Sequence, residues 1–148
     1  MPAPPDNKNG CLVKVIGYNV DNVKVGEDRS DKPFRIEVVK LFRPNAPIAG
    51  EVLRSGLPYP IEWAINGTKS PLTTQKLYNS MDGGATWSLI SALDGGPRSY
   101  EWTVPTPPTS MANCYVKVVA YSGSTVLGSD RSAKPFTIQV MRLLWPNG

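Results

Sequence analysis

Four carboxylates, Glu51, Glu62, Asp94 and Glu101, are the side chains with which this sequence could run acid–base chemistry. Cleavage of a glycosidic bond, for example, needs two carboxyl groups facing each other across the scissile bond. Nothing in their spacing along the chain brings two of these together, and scattered surface carboxylates solvate by default. The nucleophile options are as thin. Ser80 has no histidine to take its proton, because the 148 residues include none. Two cysteines, Cys11 and Cys114, with no histidine beside them do not compose a zinc site, and they are too few for a disulfide framework. The expectation is a chain that is not an enzyme, with no catalytic, cofactor or metal-binding residues.

Charge and hydropathy narrow the partners. Sixteen Lys and Arg stand against 12 Asp and Glu, a formal charge of +4. The basic residues are spread out, as Lys14, Lys24, Arg35, Lys40, Arg54, Lys76 and Lys117 illustrate, where a nucleic-acid binder would gather them in a stripe. No apolar run is long enough to cross a bilayer, so neither nucleic acid nor membrane insertion is expected. The opening Met1-Pro-Ala-Pro-Pro-Asp lacks the charged and apolar regions of a signal peptide, so the signal of a secreted protein would lie outside this stretch. Asn66-Gly-Thr68 has the glycosylation acceptor pattern, a triplet common by chance.

The elements that would position these groups are short strands. Fifteen prolines and 13 glycines suit many turns, and no window repeats apolar residues at helical spacing. Cys114, Val116, Val118 and Ala120 alternate with Tyr115, Lys117 and Val119, the period of a half-buried strand. Pro60-Ile-Glu-Trp-Ala-Ile, Gln75-Lys-Leu-Tyr-Asn-Ser, Thr86-Trp-Ser-Leu-Ile, Ser99-Tyr-Glu-Trp-Thr-Val and Phe136-Thr-Ile-Gln-Val read as further strands. Turn signals at Asn66-Gly-Thr, Asp82-Gly-Gly and Asp94-Gly-Gly-Pro separate them. The chain also repeats itself. Cys11-Leu-Val-Lys-Val returns as Cys114-Tyr-Val-Lys-Val, 103 residues on. Asp28-Arg-Ser-Asp-Lys-Pro-Phe-Arg-Ile-Glu-Val returns as Asp130-Arg-Ser-Ala-Lys-Pro-Phe-Thr-Ile-Gln-Val, and Leu41-Phe-Arg-Pro-Asn as Leu143-Leu-Trp-Pro-Asn. A period of that length fits one sandwich per repeat rather than a solenoid.

One motif is sharp. Ser80-Met-Asp-Gly-Gly-Ala-Thr-Trp87 matches the Asp-box pattern Ser-x-Asp-x-Gly-x-Thr-Trp. Its chemistry is local. Asp82 can accept from turn amides, Gly84 and its neighbour Gly83 tolerate positive φ, and Trp87 can pack back across the hairpin. Ser80, Asp82, Gly84, Thr86 and Trp87 are therefore expected to form a structural turn. Asp boxes also occur in sialidase propellers, but one copy in a chain this short does not make a propeller.

Taken with Ile61-Glu-Trp63, Tyr100-Glu-Trp-Thr-Val-Pro105, Cys114 to Val118 and Ser129 to Ile138, the hairpin resembles a known arrangement. It is similar to the Ig-like or fibronectin-type-III-like modules found in tandem in bacterial and archaeal surface and secreted proteins. The likeness spans about one sandwich of ~100 residues, and it departs from the pattern at Asn79, where an aromatic is usual. The resemblance implies an all-β, antiparallel Ig/FnIII-like sandwich, one complete module plus part of a preceding one. Residues 1–36 would be the last two strands of a preceding repeat, residues 37–139 the complete sandwich, and residues 140–148 the first strand of the next. The implied function is a structural spacer or interaction module of an extracellular or cell-surface repeat protein. Its partners would be neighbouring repeats, or other copies joined by strand-edge pairing. The alternative is a carbohydrate-binding accessory module of a secreted polysaccharide-active enzyme, prompted by Trp63, Trp87, Trp102 and Trp145, against which stands their use as core. Cys11 and Cys114 hold the same place in successive repeats, so both are expected to be reduced and buried, each in its own core.

Overall fold

The computed structural model describes residues 7–45 and 51–144. Among them every regular element is a strand: β1 (Lys8–Cys11), β2 (Lys14–Tyr18), β3 (Lys24–Arg29), β4 (Phe34–Ile36), β5 (Val39–Arg43), β6 (Val52–Arg54), β7 (Pro58–Ile65), β8 (Thr74–Ser80), β9 (Ser88–Asp94), β10 (Ser99–Thr103), β11 (Met111–Ser122), β12 (Thr125–Arg131) and β13 (Phe136–Gln139). A three-stranded sheet, β10-β7-β5, faces a six-stranded one, β6-β13-β11-β8-β9, in which β12 also pairs with β11. Strand period makes the core between them. Ile61 and Trp63 of β7, Val39 and Leu41 of β5 and Trp102 of β10 turn inward from one sheet. Leu77, Cys114, Val116, Val118, Ala120, Phe136 and Ile138 meet them from the other. Trp102 and Phe136 touch edge to face across the gap, with ring centroids 6.5 Å apart. The fold is thus all-β and sandwich-like.

Two features depart from the expectation of purely antiparallel strands bounded as the sequence suggested. The short strand β6, which the sequence pattern does not announce, pairs parallel with β13 through Thr137↔Val52, Ile138↔Leu53 and Gln139↔Arg54. The stretch from Ser129 to Ile138, quoted above as one matched segment, spans two strands, because β12 ends at Arg131 and β13 starts at Phe136.

The N-terminal hairpins repeat the far end of the sandwich, residue for residue. In β1–β4, Lys8 faces Ile36 and Cys11 faces Phe34; in β11–β13, Met111 faces Ile138 and Cys114 faces Phe136. In β2–β3, Lys14 faces Arg29 and Val15 faces Asp28; in β11–β12, Lys117 faces Arg131 and Val118 faces Asp130. Both ladders slip at the corresponding step, between Gly17 and Tyr18 and between Ala120 and Tyr121. The Ser30 hydroxyl accepts from the Val13 amide as the Ser132 hydroxyl does from Val116.

The surroundings of the two copies differ. Val116 and Val118 are fully buried, whereas their counterparts Val13 and Val15 are 51% and 67% exposed. Cys114 is buried as expected, but Cys11 is only half-buried, because among the described residues no second sheet covers β1–β4; both thiols are free. The amide-bearing side chain of Asn7 ties this region to the sandwich. Its Oδ1 accepts from the amides of Val38 (2.7 Å) and Val39 (3.0 Å), and its Nδ2 donates to the carbonyls of Val39 and Ser129 (2.9 Å each).

Candidate functional site

The Ser80–Trp87 hairpin joins β8 to β9 and is held by its own side chains and by the Gly83 amide, which donates to the Asn113 carbonyl (2.9 Å). Ser80 Oγ donates to Asp82 Oδ1 (2.7 Å) and accepts from the Gly84 amide (2.8 Å). Asp82 Oδ1 also accepts from the Thr86 amide (2.9 Å), and its Oδ2 from the Thr86 hydroxyl (2.5 Å). Gly83 and Gly84 both have positive φ, 76° and 91°, the left-handed region where a side chain is strained. Donors from Thr86 and Ser80 stabilise the ionised carboxylate and hold Asp82 at about 2, below its ordinary 3.8. Every donor that reaches Asp82 is spent on closing the turn. Ser80, Asp82, Gly84, Thr86 and Trp87 come together as one unit, and the chemistry of that unit is conformational.

Trp87 leads from the turn onto the outer face of the six-stranded sheet, where an aromatic–cation array lies. Lys117 Nζ sits 4.3 Å from the Trp87 ring centroid and 5.2 Å from that of Tyr78. Arg131 lies over Tyr115 at 4.9 Å and Lys76 over Tyr121 at 5.2 Å. Distances of this order are those of cation–π attraction. Lys117 and Arg131 are directly opposite on β11 and β12, a like-charge pair that a sheet normally avoids. Burial first, and then the Arg131 charge, lower the Lys117 pKa. In the first copy the same pair, Lys14 and Arg29, is accompanied by Glu27, which bridges Lys14 at 3.0 Å and Lys24 at 2.6 Å. Ser129 stands in Glu27's place in the second copy, and among the described residues no carboxylate comes within ion-pair distance of Lys117 or Arg131.

Spacing alone gave no reason to join any of the four carboxylates, but the fold gathers two. Glu51 accepts from the Tyr59 hydroxyl (2.6 Å), Arg43 stacks over the Tyr59 ring (5.3 Å), and Glu62 approaches Arg43 at 4.0 Å. Burial, and then the hydrogen bond to Glu51, push the Tyr59 phenol up to about 12. Asp94 instead caps the Gly96 amide (2.8 Å), and Glu101 lies exposed on β10. Trp63 and Trp102 are core residues, 2% and 5% exposed; Trp145 lies outside the described residues. Sequence reading missed Gln75. It is fully buried, accepts from the Trp63 indole (2.6 Å), and donates to the carbonyls of Asp94 (2.8 Å) and Pro97 (3.0 Å). Its signal was present: Gln75 shares strand parity with the inward-facing Leu77.

No family model matches the chain, and no curated protein sequence does either. Among solved structures, it is similar to the superoxide reductase (neelaredoxin) from Ignicoccus hospitalis. That likeness has 11% identity, a TM-score of 0.45 and coverage of 71% of this chain and 81% of that one. The T24K form of the same protein gives 12% identity, a TM-score of 0.45 and coverage of 70% and 80%. These neighbours are enzymes, and this corrects the expectation that the chain is not one. The missing histidines remove particular acid–base schemes, which is a narrower statement than the absence of catalysis. A likeness of this degree assigns neither an activity nor a fold family to the chain.

Proposed function

We propose that the chain is a structural and interaction module of an extracellular or cell-surface tandem-repeat protein, built on Ig- or fibronectin-type-III-like sandwiches. One observation carries the reading: residues 8–36 reproduce residues 111–138 in register, in ladder slip and in serine-to-backbone hydrogen bonds. On this reading residues 37–139 are one repeat, residues 1–36 end the repeat before it, and residues 140–148 begin the next. The junction is itself repeated. Asn7 accepts from the Val38 amide, and Ser110, at the matching place, accepts from the Val140 amide (3.0 Å). Each hairpin therefore fixes the start of the strand that follows it, as a spacer of defined direction requires. The 12 residues of β11, at ~3.3 Å per residue, give the repeat a length of about 40 Å. Small-angle X-ray scattering on a chain carrying two copies of residues 37–139 between the native ends tests this. The maximum dimension should grow by roughly that length, and a compact, folded-back particle would overturn the reading.

The Lys117–Arg131 pair favours a second reading, in which the outer face binds an acidic polysaccharide. Two cations face each other between Trp87, Tyr78 and Tyr115, and an anionic sugar would both neutralise them and stack on the rings. Titration calorimetry against acidic and neutral glycans separates the readings. Binding to acidic glycans that is lost in Lys117→Ala and Arg131→Ala supports the second, and no heat with any glycan removes it.

A further inference from the structure

The two copies of the hairpin differ in what lies on one glycine. In β12, a Cβ built on Gly128 would fall 2.8 Å from the Val38 Cβ, so the close seating of the first strand on β12 needs the glycine. Gly26, its counterpart in β3, has nothing within 4 Å. Its φ is outside the left-handed region, so the backbone there gives no reason for a glycine either. A second contact shows the same asymmetry. The Leu41 amide donates to Asp130 Oδ2 (2.8 Å), and among the described residues Asp28, the counterpart of Asp130, receives no first strand. The face around these residues carries Val15 and Val25, each 67% exposed, where the second copy buries Val118 and Leu127.

The strand that would fit this face is also present in the chain and also uncovered. Residues 140–144 are the counterparts of residues 38–42 in the repeat. Val38, Val39 and Leu41 are buried, while Val140, Met141 and Leu143 are 43%, 84% and 65% exposed. We infer that the segment 140–144 of one copy docks on the β2–β3 face of a second copy. Val140 then lies over Gly26, and the Leu143 amide donates to Asp28, as Val38 and Leu41 do on Gly128 and Asp130 within one chain. The occupant is a second copy because the chain already makes this contact once, between the matching residues. The contact joins different surfaces of the two molecules, so it links copies head to tail, or in a reciprocal pair where each tail seats on the other's face. It rests on the repeat reading above, and each head-to-tail junction would extend an array in its existing direction.

Paramagnetic broadening between mixed chains tests the inference. A spin label is placed at Leu144→Cys in a Cys11→Ser background, since Phe42, the counterpart of Leu144, stays 53% exposed in the packed strand. The labelled chain is mixed with an unlabelled, nitrogen-15 chain at about 1 mM, the range in which an interface of a few side chains populates. The expected result is several-fold broadening of the Gly26 and Asp28 amides that fades on dilution. It should vanish with Leu143→Glu in the labelled chain, and with Gly26→Val in the other while the Asp28 amide is followed. Gly26→Val has open space to fold into, so its loss of broadening reads docking. Absence of broadening at that concentration overturns the proposal. So does broadening that appears only when label and isotope share a chain and ignores dilution, which means the tail folds back in cis. Either failure, with the scattering length intact, leaves the array reading standing.

Discussion

Replacing Gln75 with leucine keeps roughly the same volume and removes three hydrogen bonds, one inside the core and two to a turn at its edge. The Trp63 indole N–H loses its acceptor at 2.6 Å, inside a core where Trp63 is 2% exposed and water has no access. A buried donor stranded in this way costs about 1–3 kcal/mol. The Asp94 and Pro97 carbonyls lose donors at 2.8 and 3.0 Å, but they belong to a turn with exposed residues, where water can replace part of the loss. About 1 kcal/mol for the two together is a fair allowance. Leucine's added apolar burial returns about 1 kcal/mol. The net expectation is a loss of about 1–3 kcal/mol, which lowers the melting temperature by roughly 3–12 °C for a chain of this size. Thermal and urea denaturation of Gln75→Leu, Trp63→Phe and the double variant measure it. The double variant should be less destabilised than the sum of the singles, because removing both partners leaves no stranded indole. An unchanged or raised midpoint in Gln75→Leu would refute the argument that this network holds the two sheets in place.

Gly128→Ala should cost about 1–3 kcal/mol by forcing Val38 away, whereas Gly26→Ala should be neutral or stabilising by up to about 1 kcal/mol; equal effects in urea melts would mean that the first strand does not seat on β12. Asp82 is held at about 2 against an ordinary 3.8, so its contribution to stability is present above the higher value and disappears as pH falls through the lower. The stability gap between wild type and Asp82→Asn should therefore be constant at neutral pH and close between about pH 4 and 2; a gap unchanged at the acid end contradicts it. Under native conditions a thiol reagent should modify Cys11 quickly and Cys114 slowly, since Cys114 is fully buried and burial raises its thiol pKa. Simultaneous modification of both would show that the core opens as readily as the hairpin.

What the sequence made legible was whatever has a period or a fixed local pattern. Alternation in residues 114–120 gave β11 and its inward face, and the Ser80–Trp87 pattern gave a hairpin whose side-chain bonds from Ser80 and Asp82 lie within seven residues. The self-similarity at 103 residues gave the equivalence of the two hairpins. What it could not give were features that depend on a partner distant in sequence. The parallel strand β6 is three residues long, too short for any periodicity, and exists because Ile138 brings a ladder to Leu53. The burial of Cys11 was inferred from its position in the repeat, but burial belongs to the opposing sheet, and among the described residues no sheet opposes β1–β4. The same reasoning explains the outer face. Lys117, Tyr78 and Arg131 are unremarkable one at a time, and only the register of β8, β11 and β12 sets them side by side.

The repeat supplies an internal comparison that a single sandwich would lack. Where two copies keep a residue and its contacts, its role is shared; where the residue or its contacts differ, the difference reports on surroundings. Ser30 and Ser132 make the same bond to the backbone, so that serine belongs to the hairpin itself. Gly26 and Gly128 are the same residue in unlike surroundings, so the need for glycine belongs to the contact that Gly128 makes and Gly26 lacks. Glu27 and Ser129 are different residues at one register position, and the substitution strips the counter-charge from Lys117 and Arg131 while leaving Lys14 paired. The first of these differences bears on the proposed docking of copies, and the second on the proposed binding of an acidic ligand at the outer face. Joining requires that both copies keep the glycine; binding an acidic ligand requires only that one copy lose the glutamate. The two proposed roles would therefore place separate demands on opposite faces of the same β-hairpin.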